Sequence, residues 1–259
     1  LLTAEPITAV ISRQGWIRSA KGHDIDPEGL SYKSGDGFKL ACLGRMNQPI
    51  ILMDSTGRAY SLEAHTLPSA RGQGEPVTGK LTLPKGATID GAIAGKEGDA
   101  VLLVSDAGYG FVTKISDMTS KTRTGKAALT LPKGAKIMPP MALQNKDSDL
   151  LVAVTNEGRM LVFPVKDLPE LGRGKGNKII NIPSARAASR DELLVALVTL
   201  SPEDTLQVNS GRQHLKMKPS DLEHYRGERG RRGNKLPRGY QRVDSLDIIP
   251  KIVTDADNT

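Results

Sequence analysis

Leu81 to Ala87 reads Leu-Thr-Leu-Pro-Lys-Gly-Ala, and the same seven residues recur from Leu129 to Ala135, 48 positions later. An identity of that length within 259 residues marks tandem units, each of which must bury its apolar face against a neighbour. Ile180 to Pro183, Ile-Asn-Ile-Pro, reads as a weaker copy about one period further on. The heptapeptide itself reads as a strand stopped by its proline.

A second landmark falls once in each unit: a β-rich run, two or three polar residues, a glycine, a large side chain and another β-rich run. The glycines are Gly15, Gly57, Gly108, Gly158 and Gly211, at intervals of 42 to 53 residues. Polar pairs such as Asn156-Glu157 and Asn209-Ser210 before them suit tight hairpins in which the glycine takes positive φ. Leu150 to Val154 and Arg159 to Phe163 read as paired strands, and no long amphipathic helix pattern occurs; short helical turns fit Pro219 to His224. After each hairpin comes an apolar residue (Leu67, Met118, Leu168, Leu222) and then a glycine-rich basic loop. The expected fold is all-β: five propeller-like blades in one domain over residues 1–250, followed by a tail at 251–259. An open solenoid of the same units is the alternative.

The chain starts at Leu1 with no signal-peptide pattern and reads as a fragment of something longer. Charges or glycines interrupt every apolar run well short of a membrane span. Cys42, the single cysteine, excludes an internal disulfide and a thiolate zinc cluster and reads as a buried bystander.

Catalytic groups do not converge. His23, His65, His214 and His224 have no metal-ligand spacing, and the alternating Gly172, Gly174 and Gly176 lack the strand-to-helix context of a dinucleotide loop. Asp24, Asp26 and Glu28 mimic the start of a calcium loop, but Gly35 stands where the bidentate glutamate belongs. The five tyrosines lie beside no base or acidic cluster and read as packing residues.

The positive charge, by contrast, is localised. Residues 212–242 hold ten Lys and Arg against three acids, a surplus equal to the whole net charge of +7. Lysine and arginine that displace counterions condensed on duplex DNA give sequence-independent, salt-sensitive affinity. If every unit places its loop on one rim, the candidate DNA-binding residues are Lys33, Arg71, Lys121, Arg123, Lys126, Arg173, Lys175, Lys178, Arg226, Arg229, Arg231, Arg232, Lys235 and Arg238. Adjacent glycines let backbone amides approach phosphate, and arginine grips it with two donors. Aromatics make up 3% of the chain, which argues against stacking on single strands.

The glycine-punctuated hairpins with endings Leu67-Pro68, Asp167-Leu168-Pro169 and Asp221-Leu222 resemble the C-terminal repeats of the gyrase A family, on its topoisomerase IV branch, over essentially the full length. The resemblance implies a five-bladed β-pinwheel, with a closed or a broken ring, that binds and bends DNA without a catalytic site. The longer protein would be an ATP-hydrolysing type IIA topoisomerase whose cleavage tyrosine, ATP and Mg²⁺ lie outside this segment. It would pair with the topoisomerase IV B subunit, ParE, in an A2B2 assembly, in the cytoplasm at the nucleoid, with peripheral inner-membrane association allowed by the resemblance alone. The Gln-Arg-Arg-Gly-Gly-Arg-Gly box by which gyrases wrap DNA is missing; Arg71-Gly72-Gln73-Gly74 and Gly227 to Gly233 come nearest. That departure points to relaxation and decatenation, with the domain helping to select the transported segment. A protein-docking role, in which sheet edges or acidic loops such as that of Asp24, Asp26 and Glu28 engage a partner such as the condensin MukB, is the rival expectation.

Overall fold

All five hairpin glycines take positive φ, from 59° at Gly211 to 90° at Gly57. In the first four hairpins the glycine amide donates to the carbonyl three residues back, closing a turn with a glycine bulge, whereas Ser210 pairs directly with Gln213 around a two-residue turn. The computed structural model describes residues 1–252; the end of the expected tail, 253–259, lies outside them.

The hairpins are Pro6–Ser12 with Trp16–Lys21, Pro49–Asp54 with Arg58–Glu63, Ala100–Ser105 with Tyr109–Lys114, Leu150–Thr155 with Arg159–Pro164, and Thr205–Ser210 with Gln213–Met217. A third strand joins the first strand of each: Phe38–Arg45, Ile89–Ala94, Met141–Ala142, Leu194–Leu200 and Ser245–Ile249. These sheets are blades 1 to 5. Between its hairpin and its third strand, each unit from the second onward crosses back and lends two residues to the preceding blade. Glu75–Pro76, Lys126–Ala127, Asn177–Lys178 and Asn234–Lys235 complete blades 1 to 4 in this way. This strand exchange makes a β-pinwheel, and it leaves blade 5 three-stranded among the described residues.

Four apolar cores fill the seams between successive blades, around Tyr60 and Ile50 (1–2), Phe111 and Met53 (2–3), Phe163 and Leu102 (3–4), and Val162 and Leu206 (4–5). Among the described residues none joins blade 5 to blade 1, so the ring is open, and the reason lies in the two end faces. Thr8, Val10, Arg18 and Ala20 point away from blade 2, yet all are buried, under an excursion from Gly22 to Gly37. Tyr32 of that excursion lies on the Arg18 guanidinium at 4.6 Å, and Thr8 donates to the carbonyl of Gly22. Blade 5 instead ends on a polar face, where Asn209 donates to Ser245 and Asp247 and meets Gln207 and His214. A covered end and a hydrated end behave as the caps of a repeat array and give each other nothing apolar to bury.

The heptapeptide departs from the strand expected of it. Pro84 and Pro132 open turns closed by Ala87 and Ala135, with Gly86 and Gly134 at positive φ, and the preceding Leu81 and Leu129 enter the blade seams. Its identity records a seam plug and a turn. Leu236 to Gly239, Leu-Pro-Arg-Gly, repeats the same device in the fifth unit, whereas the fourth replaces the turn with a short helix, Ser184–Ala188.

Candidate nucleic-acid interface

The basic loops are the crossovers that carry the exchanged strands. Each leaves the end of its own hairpin, where Leu67, Met118, Leu168 or Leu222 is buried, and runs along the outer strand of the previous blade. One backbone bond then recurs between successive loops. Thr82 donates to the carbonyl of Arg123, Thr130 to that of Gly174 and Asn181 to that of Arg231. The four crossovers are therefore joined in series into one rim. Glycine is required where backbones meet this closely: a Cβ on Gly74 or Gly233 would lie 2.5 Å from the carbonyl oxygen of Ile17 or Met160.

On that rim Arg71, Lys121 and Arg173 are exposed with no side-chain hydrogen bond or ion pair among the described residues. Arg123 is exposed and reaches back to the carbonyl of Gly79 at 3.1 Å, while Lys126 is half-buried. Lys175 lies over the ring of Tyr109 at 4.5 Å, and Lys178 donates to Asn181. Arg226 and Arg231 form exposed pairs with Glu223 and Glu228; Lys235 and Arg238 are exposed. Water competes for such surface pairs, and they constrain the cations little.

Three of the candidate cations are placed differently from the expectation. Lys33 does not sit on a crossover: it belongs to the excursion that covers blade 1 and packs on Trp16 at 3.6 Å. Arg229 is spent on the carbonyls of Asp167 and Lys178. Arg232 is held by Glu192, whose side chain is fully buried, with Glu157 beside it. Sequence reasoning passed over Lys85 and Lys133, exposed at the tips of the two heptapeptide turns, where Arg238 occupies the matching place in the fifth unit. The repeated Pro-Lys-Gly and Pro-Arg-Gly were the available signal. Arg58 was also overlooked; it donates twice to the carbonyl of Thr124 and fixes the second crossover.

Towards the strand ends away from the hairpin glycines both signs of charge occur, with Glu97, Asp99, Asp147 and Glu203 near Lys96, Lys114, Lys146 and Lys166. Burial and the neighbouring charge of Asp204 hold the Asp149 carboxyl above its ordinary range. The acids first noted, Asp24 and Asp26, lie in the excursion over blade 1, where Asp26 caps a short helical turn by accepting from the amide of Glu28.

The family model of the DNA gyrase C-terminal domain, beta-propeller, matches residues 99–142 and 149–201, the third and fourth units. The solved structure of the Escherichia coli ParC C-terminal domain is 52% identical, covers 95% of this chain and 100% of its own, and superposes with a TM-score of 0.86. The chain belongs to the topoisomerase IV branch of the gyrase A C-terminal domain family. Curated members of that branch, the DNA topoisomerase 4 subunits A of Pseudomonas aeruginosa and Escherichia coli K12, are 56% and 54% identical over 97% and 96% of this chain. The chain spans about a third of the length of these relatives, 34% and 33%. Among the described residues no helix is long and apolar enough to cross a membrane.

Proposed function

We propose that this domain binds and bends duplex DNA along the crossover-loop rim and so helps a type IIA topoisomerase select the segment it transports. The observation that carries this reading is the serial bond linking four cationic loops, Thr82 to Arg123, Thr130 to Gly174 and Asn181 to Arg231. Loops held in series in this way support a row of cations suited to phosphate rather than to base edges. In this reading the longer protein relaxes and decatenates DNA as an A2B2 assembly with ParE in the cytoplasm at the nucleoid, and ATP and Mg²⁺ act outside this domain. Duplexes of one to six helical turns, titrated from low to high salt with a bend-sensitive readout, test it. Steep salt dependence with bending on the longer duplexes supports the reading; no binding at low salt overturns it.

A second reading, docking of a chromosome-organising partner such as MukB, is favoured by a different observation from the acidic segment at Asp24. Gln213–Met217 is the only second hairpin strand that receives no exchanged strand among the described residues. This strand carries Lys216 and is flanked by Arg212 and Lys218, which suits an acidic extended segment added as a fourth strand. Loss of partner capture on Arg212→Glu, with DNA binding retained, would support it.

A further inference from the structure

We infer that Glu192 is a positioning residue for the DNA-binding rim, acting through Arg232 on the fourth crossover loop, that of the fifth unit; the inference rests on the DNA reading above. Residues 226–233 hold four arginines and one acid, Glu228, so their mutual repulsion opposes any single ordered conformation. Glu192 supplies the opposing charge from beneath. Its side chain is 0% exposed, and it meets Arg232 through both oxygens, with Nη2 at 2.6 Å. Arg186 approaches the same carboxylate at 3.7 Å and also pairs with Glu157.

Arg232 in turn donates to the carbonyl of Asn181 at 2.9 Å, the residue whose amide holds the carbonyl of Arg231. Arg229 pins the other side of the loop. Arg231 is thereby displayed between two anchored neighbours, with 72% of its side chain exposed. The Arg71 loop is tethered instead by the buried Arg18, which donates to the carbonyl of Gly72 at 2.7 Å. A binding loop ordered in advance avoids the entropy cost of ordering on contact with its ligand.

The expected sign separates positioning from bulk electrostatics. Glu192→Gln removes a negative charge near a polyanion site and could free Arg232 as another phosphate contact, so simple charge counting predicts tighter binding. Positioning predicts weaker binding, because the amide nitrogen cannot accept, so the two-oxygen grip on Arg232 is lost and only Glu157 at 3.4 Å still carries an opposing charge. Glu228→Gln, which removes the exposed acid paired with Arg231, serves as the opposite case.

The test measures duplex affinity for the wild type and for Glu192→Gln, Glu157→Gln and Glu228→Gln, with hydrogen exchange of residues 226–235 read on the same samples. We expect Glu192→Gln to bind about fivefold more weakly with faster exchange, Glu157→Gln about twofold more weakly, and Glu228→Gln about twofold more tightly with exchange unchanged. Glu157→Gln, at the half-exposed margin of the network, decides the matter should Glu192→Gln fail to fold. Wild-type binding with unchanged or tighter binding in both network variants overturns the positioning role alone. Absence of wild-type binding overturns the DNA reading and this inference with it.

Discussion

The hydroxyl of Tyr60 donates to Oδ2 of Asp54 over 2.6 Å, with both side chains fully buried at the hairpin of blade 2. Oδ1 of the same aspartate accepts from the amides of Thr56 and Arg58 and from the Thr56 hydroxyl. One carboxylate therefore closes the turn and ties it to the blade 1–2 core. Tyr60→Phe strips one of four donors from a buried charge and should cost about 1–3 kcal/mol of stability, read by urea unfolding. Burial, reinforced by Asp54, also raises the Tyr60 pKa. A raised pKa stabilises the fold fully below the unfolded value near 10.0, and that stability is lost as pH climbs through the folded value. Tyr60→Phe should accordingly show a smaller loss of stability above pH 10.

Gly57 and Gly22 separate two costs of a methyl group. Both take positive φ, 90° and 79°, but a Cβ at Gly57 would overlap the carbonyl of Leu129 in the blade 2–3 seam, whereas nothing lies within 4 Å at Gly22. Gly22→Ala should cost about 1 kcal/mol from backbone strain alone. Gly57→Ala should cost at least about 2 kcal/mol more, because the exchanged strand has to move. Thermal unfolding of the two variants side by side measures the difference.

Burial pushes the Cys42 thiol up to about 12. At pH 8 a disulfide-exchange reagent should modify it only as fast as the domain unfolds, because the thiolate is both scarce and shielded. Fast modification in native buffer would show that the third strand of blade 1 opens locally. The shift adds stability that is complete below pH 9 and disappears between about pH 9 and pH 12.

Periodicity and glycine position are local signals, and they made the five hairpins legible in the sequence, together with the buried ends at Leu67, Met118, Leu168 and Leu222. Strand exchange was not legible. A two-residue strand such as Asn177–Lys178 carries no alternation of its own, and its partner Tyr109–Gly110 lies one unit away. The heptapeptide misled for a related reason, since Leu81 and Leu129 alternate like strand residues while plugging seams between sheets.

Charge on the rim was equally visible, but the commitments of individual cations were not. Arg231 and Arg232 are neighbours of the same type; only the fold places Glu192 under one of them and leaves the other exposed. Lys33 looked like another rim cation because a basic, glycine-containing loop is what both a crossover and an end cap require. The packing of Lys33 on Trp16 within blade 1 decides between them.

The most direct measurement compares the salt dependence of duplex binding for two quadruple variants of equal charge. One replaces Arg71, Lys121, Arg173 and Arg231 with Ala on the rim; the other replaces Lys21, Lys96, Lys114 and Lys166, all exposed towards the opposite ends of the strands. Each phosphate contact contributes about 0.9 to the slope of log affinity against log salt. The rim variant should lose up to about 3–4 units of slope while the other stays close to wild type. Equal losses in the two variants would mean that net charge alone attracts DNA, and would contradict a built interface on the crossover loops.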